Sequence, residues 1–195
     1  MVITVDALQT EIVASLRERG LDVFHTTPNT LEQVLESILD IGSAIGADRP
    51  ACRLVSNMRQ AFATIEDATQ DERTPVVYCE EWSTPPMVAG NWVPDLVGIA
   101  GGTYPFCDAG ERSRRVSEAA VEEAAPEHVF LHVCGAGDAV DSSGFSDRSW
   151  ALPAIEKDTS GWSTIRYSIS PLRPSSRERG SWPVECTRAS KSHYR

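Results

Sequence analysis

Lysine is nearly absent from this chain: Lys157 and Lys191 are the only two, and every other base is an arginine. The cysteines, Cys52, Cys79, Cys107, Cys134 and Cys186, are scattered, odd in number and form no CxxC pair. That spacing supports neither a zinc ribbon nor a thioredoxin-like site, and leaves buried or half-buried thiols as the plain reading. No apolar run reaches the ~18 residues of a membrane span, and no basic-then-apolar signal region follows Met1. GxGxxG, the P-loop and GxSxG are all missing, and Gly135-Ala136-Gly137 is too short to stand in for them. This counts against a small α/β enzyme, for instance a nucleotide-handling one. No internal repeat is present.

What the chain does have is acid. Residues 1–156 carry 25 acids against 10 bases, whereas residues 157–195 invert to 3 against 8. An acidic, lysine-poor body keeps a protein in solution and disfavours nucleic acid as a partner. It also suits a high-salt milieu. A chain of 195 residues is long enough for one domain, or two small lobes, with a real core.

Residues 74–113 are the most clearly patterned. A β-branched run over 74–78, bounded by Pro75, fits a buried strand. Residues 79–86 then read as a loop exposing Glu80, Glu81 and Trp82, stiffened by Pro85-Pro86. Gly90-Asn91 open an amphipathic helix with Trp92, Leu96, Val97 and Ala100 at helical spacing. Gly101-Gly102 stop it where a left-handed residue is needed.

Upstream, residues 2–5 read as a strand, and Asp6 is placed to cap a helix through Leu8, Ile12, Val13 and Leu16 to Arg19. Gly20 ends it, and residues 21–24 form a second strand. Thr30 and Gln33 make a capping box, and Leu31, Val34, Leu35, Ile38, Leu39, Ile41 and Ile45 follow at helical spacing. Gly46 and Pro50 interrupt before a second helix carries Leu54, Val55, Met58, Phe62 and Ile65 to about Thr69. Residues 30–69 read as a bridge between two lobes, with a plain αα-hairpin packing its own core as the alternative on pattern alone.

Downstream, Ser117 caps a helix through Ala119-Ala120-Val121, and Pro126 separates it from a strand over 128–133. Residues 134–137 form a tight loop, residues 138–149 read as exposed loop, and short helical pieces follow at 149–156 and 160–166. From about Tyr167 the period disappears, and Pro171, Pro174 and Pro183 punctuate a serine-rich end. That end reads as a divergent or disordered tail, or as a shifted reading frame.

Trp82 and Trp92 are the strongest ligand candidates, because indole offers a flat apolar area and one donor at low entropy cost. Trp82 follows a strand end, where open α/β sheets bind ligands, with surface packing as the alternative. Trp92 shares the apolar helical face, so core packing competes there. Glu80 and Glu81 are adjacent and point apart. Glu81 can accept a hydrogen bond from a ligand amide or hydroxyl, or stay a solvated carboxylate. No His, Lys or nucleophile accompanies this acid pair in the motif, so no catalytic residue is assigned. Glu118 follows Ser117 at a helix start, where the macrodipole favours an acid. His128, His132 and Cys134 share one strand face, but strand spacing spreads them too far for one ion, and no metal site is expected. Arg112, Arg114 and Arg115 either meet an acidic ligand group or decorate a loop.

These residues also carry a resemblance. Glu81-Trp82, Pro85-Pro86, Ala89-Gly90, Trp92-Val93 and Ala100-Gly101-Gly102 lead it. Arg115-Val116-Ser117, Pro126-Glu127-His128-Val129 and Gly161-Trp162 continue it. Spread from about Val2 to Arg166, the composite resembles the cobalamin and ferric-siderophore substrate-binding proteins of ABC importers, most of all the cobalamin-binding branch. The resemblance implies an α/β fold of two lobes joined by a long helix, the N-terminal lobe incomplete. By it, residues 1–29 are a remnant of that lobe, lacking its first strands and their cleft residues. Residues 30–70 are the lobe-bridging helix, 71–166 the C-terminal α/β lobe, and 167–195 a tail that departs from the family's closing strand and helix.

The function so implied is capture of a corrinoid (cobalamin) or iron-siderophore ligand and its delivery to ABC permease subunits. No chemistry on the ligand and no cofactor are implied. Ligand contacts fall to Trp82, Glu81, Trp92, Tyr104 and Arg115. Glu118 docks against permease arginines, with Ala119 in the neighbouring slot. The family works outside the cytoplasm, although this chain shows no export signal. A non-functional truncated remnant is the other outcome these departures allow.

Overall fold

The computed structural model describes residues 1–132 and 143–156. The expectations for position 133, the loops at 134–137 and 138–142, the helical piece at 160–166 and the tail from 167 lie outside the described residues.

β1 (Val2–Val5) and β2 (Val23–Thr26) pair in parallel, from Val2 against Val23 to Val5 against Thr26. Parallel strands need a crossover, and a 3-10 turn at Ala7–Gln9 followed by α1 (Thr10–Glu18) supplies it. The Asp6 carboxylate caps the 3-10 turn, accepting from Leu8 N at 2.8 Å, and not the α-helix. The Thr10 hydroxyl donating to Ala7 O (2.6 Å) tightens that turn, so α1 begins later than its periodicity implies. Gly20, at φ +77°, closes α1 with Gly20 N on Arg17 O and Leu21 N on Leu16 O, a Schellman end that few other residues could occupy.

α2 (Leu31–Ala44) starts on the capping box, with Gln33 N donating to Thr30 Oγ1 and Thr30 N to Gln33 Oε1, each at 3.3 Å. α3 (Asp48–Thr69) then runs back along it for 22 residues, about 33 Å. Pro50 sits in the first turn, where its missing N–H breaks no helical bond. Gly42 lets the two helices touch, since a Cβ there would overlap that of Ala51. Arg59 of α3 pairs with Glu32 of α2. The span 30–70 is therefore two antiparallel helices.

The second sheet has the order β5-β4-β3-β6, built from β3 (Val77–Ser83), β4 (Pro86–Val88), β5 (Arg114–Arg115) and β6 (His128–Leu131). β3 is parallel to β6 and antiparallel to β4. Here the structure corrects the reading of 79–86 as a loop. β3 continues to Ser83 and turns back, with Glu80 opposite Val88 and Ser83 opposite Pro86. Glu80, expected on the surface, is only 1% exposed. Its carboxylate accepts from Tyr78 Oη (2.7 Å), Ser83 Oγ (2.6 Å) and the Arg148 guanidinium (2.6 and 3.3 Å), which is what allows a charge inside.

α4 (Val93–Ile99) and α5 (Glu118–Ala124) follow β4 and β5. α6 (Ser143–Ser146) is helical where loop was expected, and α7 (Pro153–Glu156) keeps only the end of the piece read at 149–156. One face of the sheet buries Tyr78, Val88, Phe106, Val121, Leu131, Phe145, Trp150 and Leu152. The other buries Val77, Cys79, Ala89 and Val97 under α4. The helix pair is tied to α4 at two points: Leu31 N donates to Asp95 Oδ2 at 2.8 Å, and Thr69 Oγ1 to Ile99 O at 3.4 Å. No helix among the described residues is long and apolar enough to cross a membrane.

Candidate functional site

A cleft of about 240 Å³ opens between the two sheets. One wall is residues 5–8 and 27–29, the segments leaving the carboxyl ends of β1 and β2. Parallel strands leave their ligand crevices at that end. The other wall is Glu81, Asn91, Trp92, Arg112 and Ser113.

The second wall is built by a strap. Asn91 takes a left-handed backbone (φ 55°), and its N–H donates to Glu111 O while its carbonyl accepts from Gly110 N at 2.9 Å. Gly90 lies so close to the strap that a Cβ would come within 2.5 Å of Arg112 C and Ser113 N. Ser113 Oγ accepts from Gly90 N at 3.1 Å and donates to Glu81 Oε2. Residues 110–113 are thereby fixed against 90–91. Trp92, half-buried, is the residue before α4, whose first turn holds Pro94.

Behind Glu81 stands His132. The parallel ladder pairs Glu80 with Leu131, so the next rung sets Glu81 and His132 side by side on one sheet face. His132 N donates to Glu80 O at 2.9 Å, and its buried Nε2 has no hydrogen-bond partner. Burial lowers the imidazole pKa, with the Glu81 charge pulling it back up. Burial also pushes the Cys79 thiol up to about 12 and raises Cys107, so neither is a nucleophile at neutral pH.

Of the residues singled out from sequence, Glu81 and Trp92 line the cleft. Trp82, Tyr104 and Arg115 stand outside the lining. Trp82 is 53% exposed, with its indole N–H on Thr84 O at 2.9 Å. It shares one rung with Met87 and Arg115 across β3, β4 and β5. Tyr104 donates to Ala89 O (2.8 Å) and packs edge-on to Phe106, and burial raises its pKa. Glu118 is exposed at the start of α5, where Ser117 Oγ accepts from Ala120 N at 3.2 Å.

Asn29 and Ser113 line the cleft without having been picked out from sequence, Asp6 and Asn91 were read there only as helix-start residues, and Arg112 as one of three arginines that meet an acidic ligand group or decorate a loop. The Gly90-Asn91 pair, tolerant of a left-handed backbone, was the available signal for a close approach.

No protein-family model matches the sequence, and no curated protein sequence matches it either. Solved structures do match. An ABC transporter substrate-binding protein from Listeria monocytogenes EGD-e superposes with a TM-score of 0.69 at 15% identity, over 80% of this chain and 64% of that one. The periplasmic heme-binding protein RhuT from Roseiflexus sp. RS-1 gives 0.65 at 20%, over 80% and 64%. The periplasmic vitamin B12 binding protein BtuF of Vibrio cholerae gives 0.55 at 16%, over 76% and 58%. The chain thus has the α/β fold of the two-lobe ABC-transporter substrate-binding proteins, and spans about 64% of the length of the first of these structures.

Proposed function

We propose that this chain is the ligand-capturing part of an ABC importer's substrate-binding protein. It holds a corrinoid, heme or ferric-siderophore type of ligand unaltered and presents it to a permease outside the cytoplasm. The observation that carries this reading is the position of the cleft. It lies at the carboxyl ends of β1 and β2, faces the strapped segment 110–113, and has the α2–α3 pair joining its two walls. An indole, two carboxylates, a guanidinium and two carboxamides there can hold the face and the polar edge of a large flat ligand. A cleft of about 240 Å³ grips one edge of such a ligand and does not engulf it. Glu118, exposed at the start of α5, serves as the docking acid toward permease arginines.

Calorimetric titration with cyanocobalamin, heme and a ferric hydroxamate tests the reading. One of them is expected to bind saturably, with Trp92→Ala weakening it roughly tenfold or more. Trp82→Ala, outside the lining, is expected to change it by no more than about twofold. Absence of saturable binding by all three sinks the capture function.

A further inference from the structure

Three charged side chains line the cleft, Asp6, Glu81 and Arg112. Both acids are already engaged within the protein: Asp6 Oδ1 accepts from Leu8 N at 2.8 Å, and Glu81 Oε2 accepts from Ser113 Oγ. Among the described residues, Arg112 makes no hydrogen bond or ion pair. Its five N–H donors point from an exposed side chain whose backbone is pinned by Gly90 and Asn91. Three arginines outside the cleft are ion-paired within the acidic body, Arg59 with Glu32, Arg73 with Glu127 and Arg148 with Glu80. Asp6 and Glu81 keep their charge, but each is held by a neutral donor of the protein, and Arg112 is the lining's one cation and its one charged donor without a partner among the described residues.

We infer that Arg112 is the specificity-determining residue of this cleft. It receives an ionised carboxylate of the ligand, and it selects acidic ligands over uncharged ones of the same shape. The inference rests on the capture reading above. A guanidinium fork matches a carboxylate in bidentate geometry, and a fixed backbone means little ordering is left to do on binding. The body's net negative field repels an anion at long range, so selection has to come from this short contact.

The test uses two matched pairs of probes on the full chain. One pair is iron protoporphyrin IX as the free diacid and as its dimethyl ester. The other is ferrichrome A, whose hydroxamate arms end in free carboxylates, and the uncharged chelate ferrichrome. At least one acid is expected to bind roughly tenfold tighter than its uncharged counterpart. Arg112→Gln should erase that preference, and Arg112→Lys should restore part of it, with the melting temperature unchanged in both. An uncharged probe binding as well as its acid, or an acid preference that survives Arg112→Gln, overturns the assignment and leaves capture standing. If none of the four binds and cyanocobalamin also fails, the capture reading falls and takes this inference with it.

Discussion

Arg148 is the ion-pair partner of Glu80, the one buried carboxylate among the described residues. Its guanidinium lies 4.5 Å from the Trp150 ring centroid, meets both Glu80 oxygens, and donates to Ser83 O. Removing one member of a buried pair strands the other charge in a dry interior, at a cost of about 3–5 kcal/mol. Arg148→Ala is therefore expected to lower unfolding free energy by about that much in urea titration, through the loss of Glu80's partner. The paired change Arg148→Met with Glu80→Leu should cost much less, since no orphan charge is left. A loss under about 1 kcal/mol for Arg148→Ala would mean that Glu80 finds water or another partner.

At the scale of elements, what could be read locally was read. The capping box at Thr30 and the glycine stops at Gly20 and Gly101 depend on residues within one turn, and they stand where the pattern put them. Glu80 could not be read, because its partner Arg148 is 68 residues away and a pair of adjacent acids looks solvated from sequence. The same holds for the cleft wall: Glu81 and Ser113 meet across 32 residues, and only the fold brings the strap to Gly90. Trp82 drew notice by following a strand, but β3 runs on through it and leaves it on the outside. The strap carries the element's prediction. Gly90→Ala is expected to push residues 111–113 off the wall, because its Cβ has no room. Hydrogen exchange at the Asn91 and Gly110 amides should speed up, and ligand affinity should fall with it. Unchanged exchange at both amides would show that the strap does not depend on this approach.

Across the whole molecule, charge and apolar surface are unevenly shared. Ile3 and Val5 on β1, Leu8 on the turn and Ile12 on α1 are exposed, and β1 carries no charged residue. Among the described residues β1 pairs only with β2, so its other edge is an unguarded template. The chain is expected to self-associate with rising concentration in sedimentation velocity, and Ile3→Lys to suppress it. A monomer at all concentrations would show that this edge is covered. The helix on the far wall of the cleft is fastened differently. α4 is held near its start, at Asp95, by the first residue of α2, and at its end by the last residue of α3. A beam fastened at both ends transmits torque without bending, so α4 and the α2–α3 pair are expected to move as one frame. If the chain captures a ligand as proposed, exchange is expected to need only small movements of residues 5–8 and 27–29, so that small-angle scattering with and without ligand should give nearly the same radius of gyration.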